Sequence, residues 1–333
     1  METTYRRERI DRGVKVRTGS IYVVCSYRDM LYLVLPRLLP VIGLLLLPLL
    51  GGYWPKLFLY TCVYALLALG WDLLTLCGLV SLGQAFFFGV GAYLAGIFNL
   101  YLHCPVWLSM PLATFGGGCF CTILFSPALR LKGVYFVLIT LMIPMVFGKS
   151  IEASEFIGGS HGLSYIYAFP VPLVPTYLTA VVLIVSLFGY RRLANSDWGL
   201  VLRAINNDDR AVLSAGISIF WYRIQTVFIA STLGAFAGAI MTHYFGFVGI
   251  SAFSLDFSFL PLVAVAIGGS GSFSGAILGS FIIVPLSDLL RPLGGLRIVL
   301  YSLILIFCNV FLPGGITHRI ERLYHQLERK VEV

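Results

Sequence analysis

Apolar residues in this chain come in long runs, not in the alternation of half-buried strands or the one-sided stripes of soluble helices. Ten runs stand out, at 31–50, 57–77, 84–102, 106–126, 133–148, 171–189, 224–246, 257–268, 275–290 and 297–312. Most approach the roughly 20 residues needed to cross about 30 Å of hydrocarbon. The run 257–268 is too short alone and 275–290 is marginal. Between them lies Gly268–Ser274, a Gly/Ser stretch ill-suited to a helix interior. This pair reads either as two short crossings or as one broken, partly re-entrant element. The pattern predicts an all-α integral membrane protein: a polytopic bundle of about ten transmembrane helices (range about 8–10) with Gly-rich broken or re-entrant elements.

Composition strengthens this reading. Of 333 residues, 59% are hydrophobic and 11% charged, with a mean hydropathy of +0.91. Soluble domains carry about 25% charged residues, so a soluble enzyme, a disordered chain and a disulfide mini-domain are all excluded. The scarce charge is unevenly placed: 18 of the 23 basic residues fall in 1–31, 128–132, 190–223 and the tail from 317. By the positive-inside rule these segments are cytoplasmic, so both termini share one side and the number of crossings is even. Parity favours two crossings within 257–290. The organisation is then a cytoplasmic segment 1–30, a transmembrane domain 31–316 with a long loop 190–223, and a cytoplasmic tail 317–333. About 30 mixed-charge residues precede the first run and no small-x-small site follows it, which predicts a retained anchor. The net charge of +8 is a topology signal and implies no nucleic-acid partner.

Catalytic chemistry finds little support. Seven cysteines lie mostly inside apolar runs without a CxxC, and five histidines are scattered, so no metal site and no disulfide are expected. Gly148-Lys149-Ser150 resembles the end of a phosphate-binding loop, but Ile143 stands where that motif requires glycine. Ionisable residues within the runs include Arg37, Asp72 and Asp288, with Asp256 at an edge. Such residues usually face a bundle interior or a water-filled path, although Asp288 reads equally as reaching the headgroups.

Two Gly-rich stretches and one loop carry more information. Ser81–Gly96 holds Gly83, Gly89, Gly91 and Gly96 with Gln84 and Tyr93; Ala266–Ser280 holds Gly268, Gly269, Gly271 and the pair Gly275/Gly279. Close helix packing explains such glycines, and a translocation path through Gly-interrupted helices is the sharper reading. Ser81, Gly83, Gln84, Gly89, Gly91, Tyr93, Gly268, Gly269, Gly271 and Gly275, with Asp72, are the candidates for that path. In the loop, Asn206 or Asn207 is placed to cap a short helix, with Asp208 and Asp209 at its N-terminus and Gly216 at its left-handed C-terminal position. Ala211, Val212 and Ala215 would share a small face suited to a partner's groove.

The residues resemble a known family. Leu69–Gly96 (LGWDLLTLCGLVSLGQAFFFGVGAYLAG), Ala128–Leu141 (ALRLKGVYFVLITL), Ile157–Leu163 (IGGSHGL), Arg203–Ile217, Ala266–Ser280 (AIGGSGSFSGAILGS) and Leu312–Ile316 resemble, in order, the motifs of permease subunits of branched-chain amino-acid ABC importers of the LivM type. The relatives of that family include urea and short-chain amide permeases. Four departures stand out: Asp72 replaces a usual Asn, Val134 replaces an acidic residue, Thr140–Met145 gains Pro144 without the usual Glu, and Ala211-Val212 replaces a pair of alanines.

The resemblance implies a permease that moves branched-chain or other hydrophobic amino acids across a bacterial or archaeal cytoplasmic membrane. It implies a second homologous permease subunit and two ATPase subunits that bind ATP and Mg, this chain holding no cofactor. It further implies a periplasmic or lipid-anchored solute-binding protein. Arg203, Ala204, Asp208, Asp209, Arg210, Ala211, Ala215 and Gly216 would form the ATPase-coupling helix, and Gly158, Gly159 and Gly162 an external-loop motif. A permease for urea or amides, a stand-alone secondary carrier and a membrane-embedded enzyme remain open alternatives at the level of sequence.

Overall fold

The structure is a computed structural model that describes residues 5–9, 51–131, 133–171, 173–294 and 328–332, with short pieces between 296 and 317. The runs 31–50 and most of 297–312 lie outside the described residues. The other eight runs are all helices: α1 (Trp54–Leu76), α2 (Gln84–Leu100), α3 (Val106–Phe125), α4 (Val134–Glu152), α5 (Leu173–Ala194), then the loop helices α6 (Asp197–Asn207) and α7 (Asp209–Ser214), followed by α8 (Ile219–Phe245), α9 (Asp256–Gly268) and α10 (Ser274–Leu289). Six are long and apolar enough to cross a membrane, if the turn Ile250–Phe253 is counted with α9; α2 and α10 are shorter apolar helices. Outside the bundle, two strands, β1 (Tyr5–Arg9) and β2 (Glu328–Glu332), pair antiparallel, with Tyr5 opposite Glu332 and Arg9 opposite Glu328. The two ends of the chain therefore lie together.

Backbone chemistry sets the boundaries. α1 opens with Pro55 in its first turn, where no N–H is needed, and stops before Gly78 at φ +73°. α8 ends at Gly246 in the left-handed region. Pro111, Pro144, Pro261 and Pro285 sit inside helices, which neighbouring helices tolerate in a lipid-spanning bundle. Pro144, an addition relative to the family pattern, leaves α4 continuous.

α1 lies at the centre, nearly all buried, with α2, α5, α8, α9 and α10 packed against it. α4 is peripheral and turns Val134, Tyr135, Met142 and Val146 outward. α2 and α8 pack backbone against backbone because glycine removes the side chains between them. A Cβ on Gly91 would overlap the backbone of Ala235, and one on Gly238 would overlap the Phe88 carbonyl and approach Ala92 N to 2.7 Å. Gly238→Val is therefore expected to cost about 3 kcal/mol through overpacking and to yield aggregated protein on size exclusion. Gly116→Val, whose site is open, should leave the elution profile unchanged.

α9 and α10 form an antiparallel hairpin, which resolves the pair 257–290 as two elements running in opposite directions. The start of α9 and the end of α10 line one cavity, and the break between them sits at the opposite face, near loop 190–223. At about 1.5 Å per residue, α9 and α10 are about 20 and 24 Å long. The turn at Ile250–Phe253 extends α9 toward the far face.

Candidate functional site

The break between α9 and α10 gathers several of the residues expected on the path. Gly269 (φ +110°), Gly271 (φ +78°) and Phe273 (φ +47°) adopt left-handed conformations, so the chain leaves the helix as the Gly/Ser composition requires. Gly268 and Gly275 meet backbone to backbone across the hairpin, and Gly279 packs on the Ala264 carbonyl. Asp72 of α1, wholly buried, reaches into the break. Its carboxylate accepts the N–H of Gly271 at 2.6 Å and of Phe273 at 3.0 Å. The negative charge also lies where the positive end of the α10 dipole begins. Thr317, following the terminal Pro-Gly-Gly-Ile motif, closes the other side by donating to the Gly268 carbonyl at 2.5 Å, and Gly315 packs on the Gly269 backbone. The edge of the Tyr190 ring meets Phe273 at 5.9 Å between centroids. Asp72 thus holds the break in shape through two hydrogen bonds.

Residues of the first Gly-rich stretch are distributed differently. Ser81 accepts the Trp71 indole N–H at its carbonyl (2.7 Å) and the Gly83 N–H at its hydroxyl (3.1 Å). Gly83 lies against the Phe125 ring, Gly89 against Phe253 and Gly91 against α8, so all three serve close packing in this conformation. Gln84, the first residue of α2, is fully buried. Neither atom of its amide has a hydrogen-bond partner among the described residues, and the hydroxyl of buried Tyr93 is in the same position. Buried polar groups are ordinarily satisfied, so these two are exceptional.

Loop 190–223 is folded rather than open. α6 turns Leu202 and Ile205 inward and Arg203 and Ala204 outward, and Asn206 packs against Gly78 at the end of α1. Trp198 donates from its indole to Gln225 of α8 at 2.9 Å. The cap differs from the sequence expectation. α6 continues through Asn206 and Asn207, so Asp208 becomes the cap of α7 and accepts the Arg210 N–H at 2.8 Å. Gly216 is left-handed as expected: its N–H bonds Leu213 O and that of Ile217 bonds Val212 O, a Schellman closure. The expected small face is also corrected. Val212 points into the core and anchors α7, which leaves Ala211, Ala215, Arg210 and Gly216 exposed.

By sequence Arg223 is one of the basic residues of the 190–223 segment, a topology charge. In the structure it is the brace of this loop. Its buried guanidinium contacts both Asp209 carboxylate oxygens, at 3.3 and 3.4 Å, and donates to the Leu129 carbonyl at 3.3 Å. One side chain joins α7, α8 and the 128–130 turn.

At the opposite face the Ile157–Leu163 motif folds back on the 246–249 turn. Gly158, Gly159 and Gly162 are all left-handed, and Leu163 and Val248 exchange both backbone hydrogen bonds at 2.8 and 3.0 Å. His243, at the end of α8, accepts or donates at Ser109 of α3 (2.6 Å) and donates through Nδ1 to the Tyr167 carbonyl (2.8 Å). Lys149, in the string that mimics a phosphate-binding loop, is in the last turn of α4 and pairs with Glu152 at 2.6 Å.

A cavity of about 380 Å³ opens on this same face between α1, α2, α8, α9 and α10. Tyr60, Tyr64, Phe88 and Phe257 give it aromatic walls, with Lys56, Asp256, Asp288 and Arg291 at its rim. Lys56 and Arg291 were absent from the sequence-derived candidates. The available signal was negative: both belong to the few basic residues outside the four basic-rich segments.

A helical bundle with a broken, carboxylate-clamped hairpin, a braced loop on one face and an open cavity on the other defines a multi-pass membrane permease. Over residues 55–310 the chain matches the family described as branched-chain amino acid transport system / permease component, and it belongs to that family. It is 27% identical over 292 residues to the high-affinity branched-chain amino acid transport system permease protein LivM of Salmonella typhimurium, covering 77% of this chain and 68% of that one. The protein of the same description from Escherichia coli is 26% identical over 295 residues, with the same coverage. A probable branched-chain amino acid transport permease protein LivM of Methanocaldococcus jannaschii is 36% identical over 100 residues, 30% of this chain and 29% of that one. No solved structure matches the chain.

Proposed function

We propose that this permease is the transmembrane subunit of an ATP-driven importer for branched-chain or similar hydrophobic amino acids. It would pair with a second, homologous permease subunit in a bacterial or archaeal cytoplasmic membrane, and two ATPase subunits would bind ATP and Mg. A periplasmic or lipid-anchored binding protein would deliver the amino acid to the face that carries the Ile157–Leu163 loop. Loop 190–223 would then be cytoplasmic, in keeping with its five arginines.

The observation that carries this reading is the braced loop. A short helix with exposed Arg210, Ala211 and Ala215, with Arg203 and Ala204 exposed beside it, offers a small, charged-flanked surface for a partner. Through Asp209 and Arg223 that surface is tied to α8, and α8 packs on α2. Movement of the loop therefore has a rigid route into the bundle, as hinge or shear transitions require. Gln84 and Tyr93, buried on α2 without hydrogen-bond partners among the described residues, are polar groups that a passing solute would satisfy.

The test is reconstitution. The chain, co-expressed with candidate ATPase and second-permease subunits of the same genome, is purified and placed in proteoliposomes with a candidate binding protein. ATP-dependent accumulation of L-leucine is expected. A chain that never co-purifies with an ATPase subunit, or leucine uptake that ignores ATP, would sink the proposal.

A further inference from the structure

We infer that the cavity between α1, α8 and the α9–α10 hairpin is a receiving site for an aliphatic α-amino acid, which it holds by charges of both signs. The inference rests on the permease reading above and deepens it by assigning a site and a mode of recognition. Lys56 and Arg291 supply two positive charges to the rim, and Asp256 and Asp288 two negative ones. The rim is thus neutral as a whole but strongly dipolar. A solute of net charge would meet as much repulsion as attraction there. A zwitterion can place its carboxylate toward the cations and its ammonium toward the carboxylates. Beneath the rim, Tyr60, Phe88 and Phe257 give an apolar floor for a branched side chain. At about 380 Å³ the cavity falls in the usual range for small-molecule sites and is far larger than urea needs.

The Arg291–Asp288 pair on the rim is open to exchange. Arg291 and Asp288 are 3.8 Å apart, with the Arg291 side chain 67% exposed, so their ion pair is weak and open to competition by a ligand. Lys56, on an exposed first turn, has its ammonium 5.9 Å from the centre of the Phe245 ring, which keeps it over the cavity mouth. Asp256 begins α9 and is half buried, fixed on the wall opposite.

The experiment uses the assembled importer in lipid nanodiscs without binding protein, and tritiated L-leucine as probe. Saturable binding is expected, competed by leucine but poorly by leucinamide, N-acetyl-leucine and urea. Lys56→Gln and Asp256→Asn should each weaken leucine binding about tenfold, the effect of losing one hydrogen bond to a charged group. They should raise the KM for ATP-driven uptake without lowering kcat to the same degree, and both variants should elute as the parent does on size exclusion. Leucine binding and KM unchanged in both variants, while uptake proceeds, would overturn the site and leave the importer reading standing. Wild-type complex that fails to import leucine at all would overturn both.

Discussion

Asp72→Leu is expected to abolish leucine uptake and to destabilise the protein by about 3–6 kcal/mol. Two backbone N–H groups, that of exposed Gly271 and that of buried Phe273, lose a charged acceptor, and each such hydrogen bond is worth about 1.5–3 kcal/mol. The damage would be local first. The break would lose its hold on the start of α10, and the contacts of Thr317, Gly315 and Tyr190 would be left to keep the segment in place. Hydrogen exchange should therefore rise at 268–275 before the bundle melts. Asp72→Asn should fall between wild type and Asp72→Leu, because an amide oxygen can accept one of the two donors while its NH2 group opposes the other. Thermal unfolding in detergent, together with uptake in proteoliposomes, measures both effects. Wild-type melting and transport in Asp72→Leu would show that the clamp is dispensable.

The second large effect is expected at Arg223. Removing it as Arg223→Leu takes away the cation facing Asp209 and the donor to Leu129, a cost of about 3 kcal/mol for a buried pair broken on one side. The more telling consequence is functional. If α7 passes movement to the bundle through this contact, ATP hydrolysis by the assembled complex should continue while leucine uptake falls about tenfold or more, within the range of coupling free energies between sites. Arg223→Lys should rescue only part of it, since a point-charge ammonium cannot span two carboxylate oxygens and a carbonyl as a planar guanidinium does. Uptake within about twofold of wild type in Arg223→Leu, on the same scale of coupling, would eliminate this route.

Much of the architecture was legible in the sequence because it rests on local rules. Runs of apolar residues gave eight helices at their expected places, and Gly268–Ser274 broke where its composition said it would. Gly216 closes α7 in the left-handed region for the same local reason. Legibility ended where a residue's role depends on distant partners. Asp72 finds its donors 199 and 201 residues away, so no spacing in the chain announces the clamp. The cavity draws its rim from the first turn of α1 and the ends of α9 and α10, which periodicity cannot bring together. Asn206 and Asn207 are good cap residues by type, yet α6 absorbs them because its Leu202 and Ile205 face must reach the core, which shifts the cap to Asp208. Glycines at 89, 91 and 275 carried a double meaning in the sequence, and the structure assigns all three to contact between elements.

α8 has one more consequence. It is 27 residues long, about 40 Å from end to end, with no proline in its length. Near one end Arg223 grips α7; at the other, His243 grips Ser109 of α3 and the carbonyl of Tyr167 in the loop that carries the Ile157–Leu163 motif. The two faces of the protein are therefore fastened to a single strut. A tilt of about 5° about one end would carry the other through about 3.5 Å at that length. Such a lever lets a small displacement of a surface helix reset the far loop.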